Sequence, residues 1–183
     1  MSAFMKTKIR ELFPEIEQIQ DKSLKDQVVA TWEEAIAKGG WEIEELDGIP
    51  FTLLIPDCEI NLVTHTRAVT QTALKVAGVL QDFYKEKVRI EVDLLLAGGI
   101  LHDVGKILEY EKDGDKVVKS RSGKLLRHPF SGSALAYKNG LPEEVIHMIA
   151  THAGEGDRGY RSVEAIIIHY ADFINFESLG GKT

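Results

Sequence analysis

Leu101-His102-Asp103-Val104-Gly105-Lys106 closes an apolar run that begins at Val92, and the other elements of the chain can be placed around it. The adjacent His102-Asp103 pair comes where the run stops, and Gly105 then breaks the pattern. Neighbouring side chains on a regular helix diverge by about 100°, so His102 and Asp103 converge on one point only where the helix ends. Gly105, a residue that tolerates positive φ, suits such an ending. An imidazole beside a carboxylate makes a mixed nitrogen and oxygen metal site. A His-Asp dipeptide alone carries little weight, because such pairs arise by chance. Its weight comes from the residues that accompany it.

With 183 residues the chain fits one domain large enough to bury a core. Hydrophobic content of 44% and charged content of 28% are ordinary for a globular protein. The net charge of −7 argues against non-specific binding to nucleic acid or a membrane surface, so a nucleic-acid polymer is not an expected partner. Cys58 is the single cysteine, which excludes an intramolecular disulfide and a thiolate metal cage. From Met1 to Ile19, charged residues such as Lys6, Lys8, Arg10, Glu11 and Glu15 interrupt the apolar ones, unlike the core of a signal peptide. No segment approaches the roughly 20 apolar residues that a membrane span needs. The expectation is a cytoplasmic protein with no membrane partner.

Outward from the central run, the pattern is helical. Phe4, Ile9, Leu12, Phe13 and Ile16 recur at helical spacing, with Pro14 opening a second short helix. Ser23 is placed to cap the next helix, in which Leu24, Val28, Val29, Trp32, Ala35 and Ile36 form one apolar face before Gly39-Gly40 stops it. Residues 41–57 read as a connection whose Glu42, Glu44, Glu45 and Asp47 face solvent. From Glu59 to Leu80 a helix buries Leu62, Val69, Ala73, Val76, Ala77 and Leu80, and His65 points along that apolar face. Residues 90–102 form a nearly all-apolar, central helix.

After the His-Asp pair, residues 107–127 read as non-helical. Two strand-like stretches, 107–110 and 116–119, flank Asp113-Gly114, a favoured hairpin turn, and Ser120, Ser122 and Gly123 keep the chain loose beyond it. A segment of this length is often a lid or binding loop. Its Lys116, Lys119, Arg121, Lys124 and Arg127 suit either a solvated hairpin or contact with an anionic substrate. His128-Pro129 then opens a helix, with His128 at its N-cap or just before it. A further helix runs from Leu141-Pro142 to His152, a glycine-rich loop follows, and the last helix spans residues 162–176.

His65, His102-Asp103, His128, His152 and Asp172 now form a series on apolar elements, separated by roughly one helix and one connection. That is the spacing expected when each helix of a bundle sends one ligand inward. Burying Asp172 behind Ile166-Ile167-Ile168 is costly unless it is paired or metal-bound. Taken singly, His65 reads as a hydrogen-bonded core residue; together, these groups satisfy one another through metal.

The chain resembles HD-domain superfamily metalloproteins. The family's first His, adjacent His-Asp and distal Asp are matched by His65, His102, Asp103 and Asp172, and His128 and His152 stand where dinuclear members carry two further histidines. His-Asp-Val-Gly-Lys at 102–106 and His-Pro-Phe-Ser-Gly at 128–132 are similar to the cyclic-dinucleotide phosphodiesterase branch. The Gly-Tyr-Pro signature and double histidine of that branch are missing, because Thr151 precedes His152, so cyclic di-GMP is not carried over as substrate. The resemblance covers residues 59–175 and does not explain residues 1–58.

What it implies is an all-α, compact helical bundle with a short β-hairpin-like insertion after the His-Asp motif. Residues 59–176 would be the metal-binding core; before it the helical pattern reads as an N-terminal extension or cap over residues 1–58, and 177–183 are a tail. His65, His102, Asp103 and Asp172 would bind one divalent ion, and Asp103 would bridge to a second held by His128 and His152. Iron or manganese is favoured, with zinc, magnesium and nickel open. Two such ions would activate a water as hydroxide and stabilise a transferring phosphoryl group, making the protein a metal-dependent phosphohydrolase of a small phosphoester or nucleotide. Asp103 and Lys106 would be its catalytic residues, with Lys106, Arg158 and Arg161 meeting phosphate. His147 and His169 are left out of the ligand set; His147 would take no part, and a supporting place behind the ligands is the lesser of two readings of His169. Two alternatives stay open: a mixed-valence di-iron oxygenase cleaving a C–P or C–C bond, and a non-catalytic ligand-binding regulatory domain. A homodimer is likewise left open.

Overall fold

The computed structural model describes residues 3–56 and 58–182; Met1, Asp57 and Thr183, which bound or end segments named above, lie outside the described residues. Its elements, in order, are α1 (Ala3–Leu12), α2 (Lys22–Gly39), α3 (Leu62–Tyr84), α4 (Val92–Leu101), α5 (Lys106–Glu109), β1 (Tyr110–Asp113), β2 (Lys116–Lys119), α6 (Arg121–Leu125), α7 (His128–Lys138), α8 (Glu143–Thr151) and α9 (Val163–Ser178). The all-α bundle with a small hairpin agrees with the expectation.

The apolar α4 lies at the centre, packed against α2, α3, α8 and α9, and its residues from Leu95 to Leu101 are all buried. A helix with no polar face is stable only when other elements cover it on every side. The N-terminal elements share this core. Trp32 of α2 is fully buried, stacks on Phe13 at 4.6 Å and donates its indole N–H to the Ile100 carbonyl at 3.2 Å. Trp41 likewise donates to the Ile107 carbonyl at 3.0 Å. Helix α2 is capped by Asp21, which accepts from the Leu24 N–H, and not by Ser23, which lies inside the first turn. Pro14 does open a short 3-10 helix, Pro14–Gln18.

The connection after Trp41 folds into a 3-10 turn, Ile43–Gly48, closed by a reciprocal Glu42 and Glu45 capping box. Its Ile43, Leu46, Ile49 and Phe51 are buried, while Glu42, Glu44 and Asp47 face solvent as expected. A short bridge then pairs Phe51 with Ile60 and Ile49 with Leu62, which carries Phe51 to the start of α3.

Two local readings need correction. Gly105 is not left-handed: its backbone is α-helical, at φ −64° and ψ −18°. A glycine is needed there for space, because a Cβ would lie 2.1 Å from the His128 carbonyl oxygen. The segment after it is also more ordered than its composition suggested. Residues 106–109 are helical, the first strand starts three residues later than expected, and the hairpin turns on Gly114-Asp115, with Asp113 opposite Lys116 and Tyr110 opposite Lys119. Residues 121–125 form α6, capped by Ser120. Helices this short carry no readable periodicity, and tertiary contacts hold them. Among the described residues, no helix is long and apolar enough to cross a membrane.

Candidate metal centre

The six side chains expected as ligands converge at one end of the bundle. His65 comes from the first turns of α3, His102 and Asp103 from the turn that ends α4, His152 from the end of α8 and Asp172 from α9. His128 is the first residue of α7, one position inside the helix, with Arg127 as the N-cap. All four histidines and Asp103 are buried, and the Asp172 side chain is 15% exposed.

They fall into two groups, His65, His102 and Asp172 in one and Asp103, His128 and His152 in the other, each with its donor atoms within 4.8 Å of one another. Asp103 joins the groups. Its Oδ2 lies 3.5 Å from His65 Nε2 and 3.3 Å from His102 Nε2. Its Oδ1 lies 3.3 Å from His128 Nε2 and 3.6 Å from His152 Nε2. Asp172 Oδ1 is 3.0 Å from His65 Nε2.

Proton positions follow from the acceptors. His102 Nδ1 is 2.7 Å from the Gly99 carbonyl, His152 Nδ1 is 2.8 Å from the Ile149 carbonyl, and His128 Nδ1 is 2.8 Å from a Glu109 carboxylate oxygen. Carbonyls and carboxylates only accept, so each Nδ1 carries the hydrogen and each neutral ring turns a bare Nε2 inward. The Nε2 atoms of His128 and His152 are then two lone pairs 3.2 Å apart. Asp103 Oδ1 and His102 Nε2 are buried with no hydrogen-bond partner. Buried acceptors facing one another without a donor are costly, and a divalent cation is what this donor set fits.

The protonation states agree for the two carboxylates, His65 and His128, and His102 is the exception. Against the upward pull of burial, Lys106 and His102 hold the Asp103 carboxyl well below the usual range, and His65 and His102 do the same for Asp172. Burial pushes His65 down against Asp172, and it pushes His128 down to about 4 against Glu109. For His102 burial also pulls down, but the Asp103 charge beside it prevails and raises it. Anionic carboxylates and neutral imidazoles are the states that ligate.

Beside the centre opens a cavity of about 410 Å³ onto which His128 and Asp172 face. Phe51, Phe173 and Phe176 line it together with the cations Lys106, Lys119 and Arg127. Lys106 is buried and donates to Asp103 Oδ2 at 2.7 Å and to the Phe51 carbonyl at 2.6 Å, which leaves one N–H of the ammonium group. Arg158 is exposed and Arg161 is spent on its own loop, donating to the Thr151 and Ala153 carbonyls and to Asp157; neither lines the cavity. His169 donates to the His152 carbonyl at 2.6 Å, from behind a ligand residue. His147 accepts from the Ser162 N–H and stacks on Tyr160, away from the centre.

Two neighbours were missed from sequence. Phe51 stacks on the His65 ring at a centroid distance of 4.2 Å. Glu109, 3% exposed, accepts from both the backbone N–H and Nδ1 of His128. Burial pulls Glu109 up, but its bonds to His128 bring it down to about 2. A signal for Glu109 was available: an acid set between Leu108 and Tyr110 is costly to bury unless paired.

The HD domain family matches residues 62–175, more than half of the chain. A dihydroneopterin 2',3'-cyclic phosphate phosphodiesterase from Methanocaldococcus jannaschii is 37% identical over 115 residues, which are 62% of this chain and 45% of that protein. Ribonuclease Y from Desulforudis audaxviator is 34% identical over 122 residues, 67% of this chain and 20% of that protein. Ribonuclease Y from Thermotoga maritima is 26% identical over 119 residues, with 65% and 20% covered. The chain thus spans less than half of the archaeal relative and a fifth of each ribonuclease. No solved structure matches it significantly.

Proposed function

The chain belongs to the HD domain family, and from that premise we propose that it is a metal-dependent phosphohydrolase that opens a small phosphodiester at a centre of two divalent ions. The observation that carries this reading is the divided carboxylate of Asp103, with Oδ2 facing His65 and His102 and Oδ1 facing His128 and His152. His65, His102, Asp172 and Oδ2 would hold one ion; His128, His152 and Oδ1 would hold the other. Iron or manganese is favoured, and availability decides among divalent ions that such donors accept. When bound, such a pair supplies hydroxide near neutral pH and offsets negative charge on the phosphoryl group.

The chain's own residues do the rest. Asp103 and Asp172 bring negative charge into a buried place, and the three fixed imidazoles present their Nε2 atoms without reorganisation. Lys106 holds a positive charge beside Asp103 Oδ2 and keeps one N–H for a phosphate oxygen. The aromatic wall of Phe51, Phe173 and Phe176 offers a flat ring apolar surface while the phosphate end meets the centre.

The archaeal relative, named for a 2',3'-cyclic phosphate on a pterin, supports a cyclic phosphodiester attached to a flat ring as the substrate class. A cavity of about 410 Å³ suits a ligand of that size, and the net charge of −7 argues against a nucleic-acid polymer. The test is a panel of 2',3'- and 3',5'-cyclic nucleotides, neopterin cyclic phosphate, linear dinucleotides and phosphomonoesters, with manganese or ferrous iron added. Turnover of a cyclic phosphodiester by the wild type, lost in Asp103→Ala, is the expected result. A wild type that loads metal but turns over nothing in the panel refutes the reading.

A further inference from the structure

We propose that Glu109 is the positioning residue for the second ion, and that the hairpin and α6, which interrupt the bundle after Asp103, are the frame that holds it against His128. This rests on the two-ion reading above.

The need for Glu109 follows from where His128 stands. His102 and His152 come at the ends of helices, and each donates its Nδ1–H to a carbonyl three residues earlier in its own chain, Gly99 and Ile149. The helix that carries each ligand therefore also orients it. His128 is the first residue of α7, so no turn of its own helix precedes it to offer a carbonyl. Its backbone N–H, at a helix start, also lacks an intrahelical partner. One oxygen of Glu109, nineteen positions away, meets both needs, 2.7 Å from the N–H and 2.8 Å from Nδ1. Two bonds from one oxygen to one residue fix the ring against its backbone. A carboxylate also makes the imidazole a stronger donor to metal than a carbonyl does.

The excursion supplies what Glu109 needs. The Ser120 N–H donates to the Glu109 carbonyl at 2.9 Å, and the Ser120 hydroxyl to that of Leu108 at 2.7 Å. Gly123 packs so closely that a Cβ would lie 2.3 Å from the Glu109 carbonyl oxygen. Lys119 on β2 and Arg127 after α6 each come within 3.4 Å of the other carboxylate oxygen, which leaves Oε2 to His128. A segment whose length and composition read as a lid, a binding loop or a solvated hairpin is thus tied, residue by residue, to the group behind His128.

The test is a cobalt(II) titration of the metal-stripped full chain, followed by visible absorption and calorimetry, for wild type, Glu109→Ala and Glu109→Gln. The wild type should take up two ions. In Glu109→Ala one of the two binding constants, that of the ion at His128 and His152, should lose about 10- to 100-fold while the other is unchanged. Glu109→Gln, which keeps an accepting oxygen but no charge, should fall between the two. Nitrogen-15 spectra of the metal-free histidines should show His128 as the Nδ1–H tautomer in wild type and as a mixture in Glu109→Ala, a change that a purely structural ion pair would not cause. If the alanine variant does not fold, the glutamine variant decides by the same two readouts. Unchanged second-ion affinity in a folded variant, equal weakening of both ions, or a wild type that binds one ion overturns the proposal. A wild type that binds two ions and hydrolyses nothing would instead remove the hydrolase reading and leave the role of Glu109 standing.

Discussion

Replacing Gly105 by alanine sets two effects of opposite sign against each other. The Gly105 backbone is α-helical, a conformation alanine prefers by about 0.5–1 kcal/mol, so on backbone grounds the change stabilises. The added methyl, however, would stand 2.1 Å from the His128 carbonyl oxygen, 2.7 Å from Ser131 Oγ and 2.8 Å from the Gly132 nitrogen. Ordinary contact begins near 3.4 Å, so the first turn of α7 must retreat by about 1.3 Å, and two of these three atoms are backbone. Overpacking of this kind costs about 1–3 kcal/mol. Net of the backbone gain the loss is about 0–2.5 kcal/mol, so at about 2–4 °C per kcal/mol for a chain of this size the melting temperature should fall by up to about 10 °C. The retreating turn carries His128, whose Nε2 is 3.3 Å from Asp103 Oδ1, so a shift of this size opens the second ligand group. A misplacement of about 1 Å can lower turnover by about 100-fold. Thermal melting and cobalt(II) stoichiometry of Gly105→Ala give the answer together. A melting temperature at or above wild type with two ions bound would refute the close-approach account of Gly105.

Trp32→Phe removes the donor to the buried Ile100 carbonyl and should lower stability by about 1–3 kcal/mol in urea unfolding; no change would mean that the N-terminal helices are not coupled to α4 through that bond. Phe176→Ala should leave metal stoichiometry untouched and raise KM for a ring-bearing cyclic phosphate by about tenfold, through lost aromatic contact; an equal fall in kcat with no change in KM would contradict a ring-binding wall. Glu109 is held at about 2, below its unfolded value, so its contribution to stability is full above pH 4.5 and is lost as the pH falls from there toward 2. Glu109→Gln should therefore lose less stability than wild type across that window, which denaturant midpoints on either side of it will measure.

Much of the candidate metal centre was legible because burial makes polar residues conspicuous. His65, His102, Asp103, His128, His152 and Asp172 sit on or at the ends of apolar helices where an unpartnered imidazole or carboxylate would be costly, and one or two from each of five helices is what a shared site requires. The bundle was legible too, since the apolar faces of α2 and α3 have a helical period that survives in the chain and α4 is an unbroken apolar run that other elements must cover. Local boundaries fared worse: the four- and five-residue helices α5 and α6 have too few turns to show a period and exist because Ser120, Gly123 and Glu109 meet.

Residue spacing alone indicated that His65, His102, Asp103, His128, His152 and Asp172 would be withdrawn from water and would gather at the end of an apolar helix. Tertiary structure alone decided how they divide. That one oxygen of Asp103 faces His65 and His102 and the other faces His128 and His152 depends on the approach of α7 to Gly105, to within a distance that only a missing Cβ permits. That Glu109 answers His128, and that Lys106 is shared between Asp103 and Phe51, are contacts across 19 and 55 positions of chain. Periodicity reports which face of an element is buried and carries no record of what that face meets.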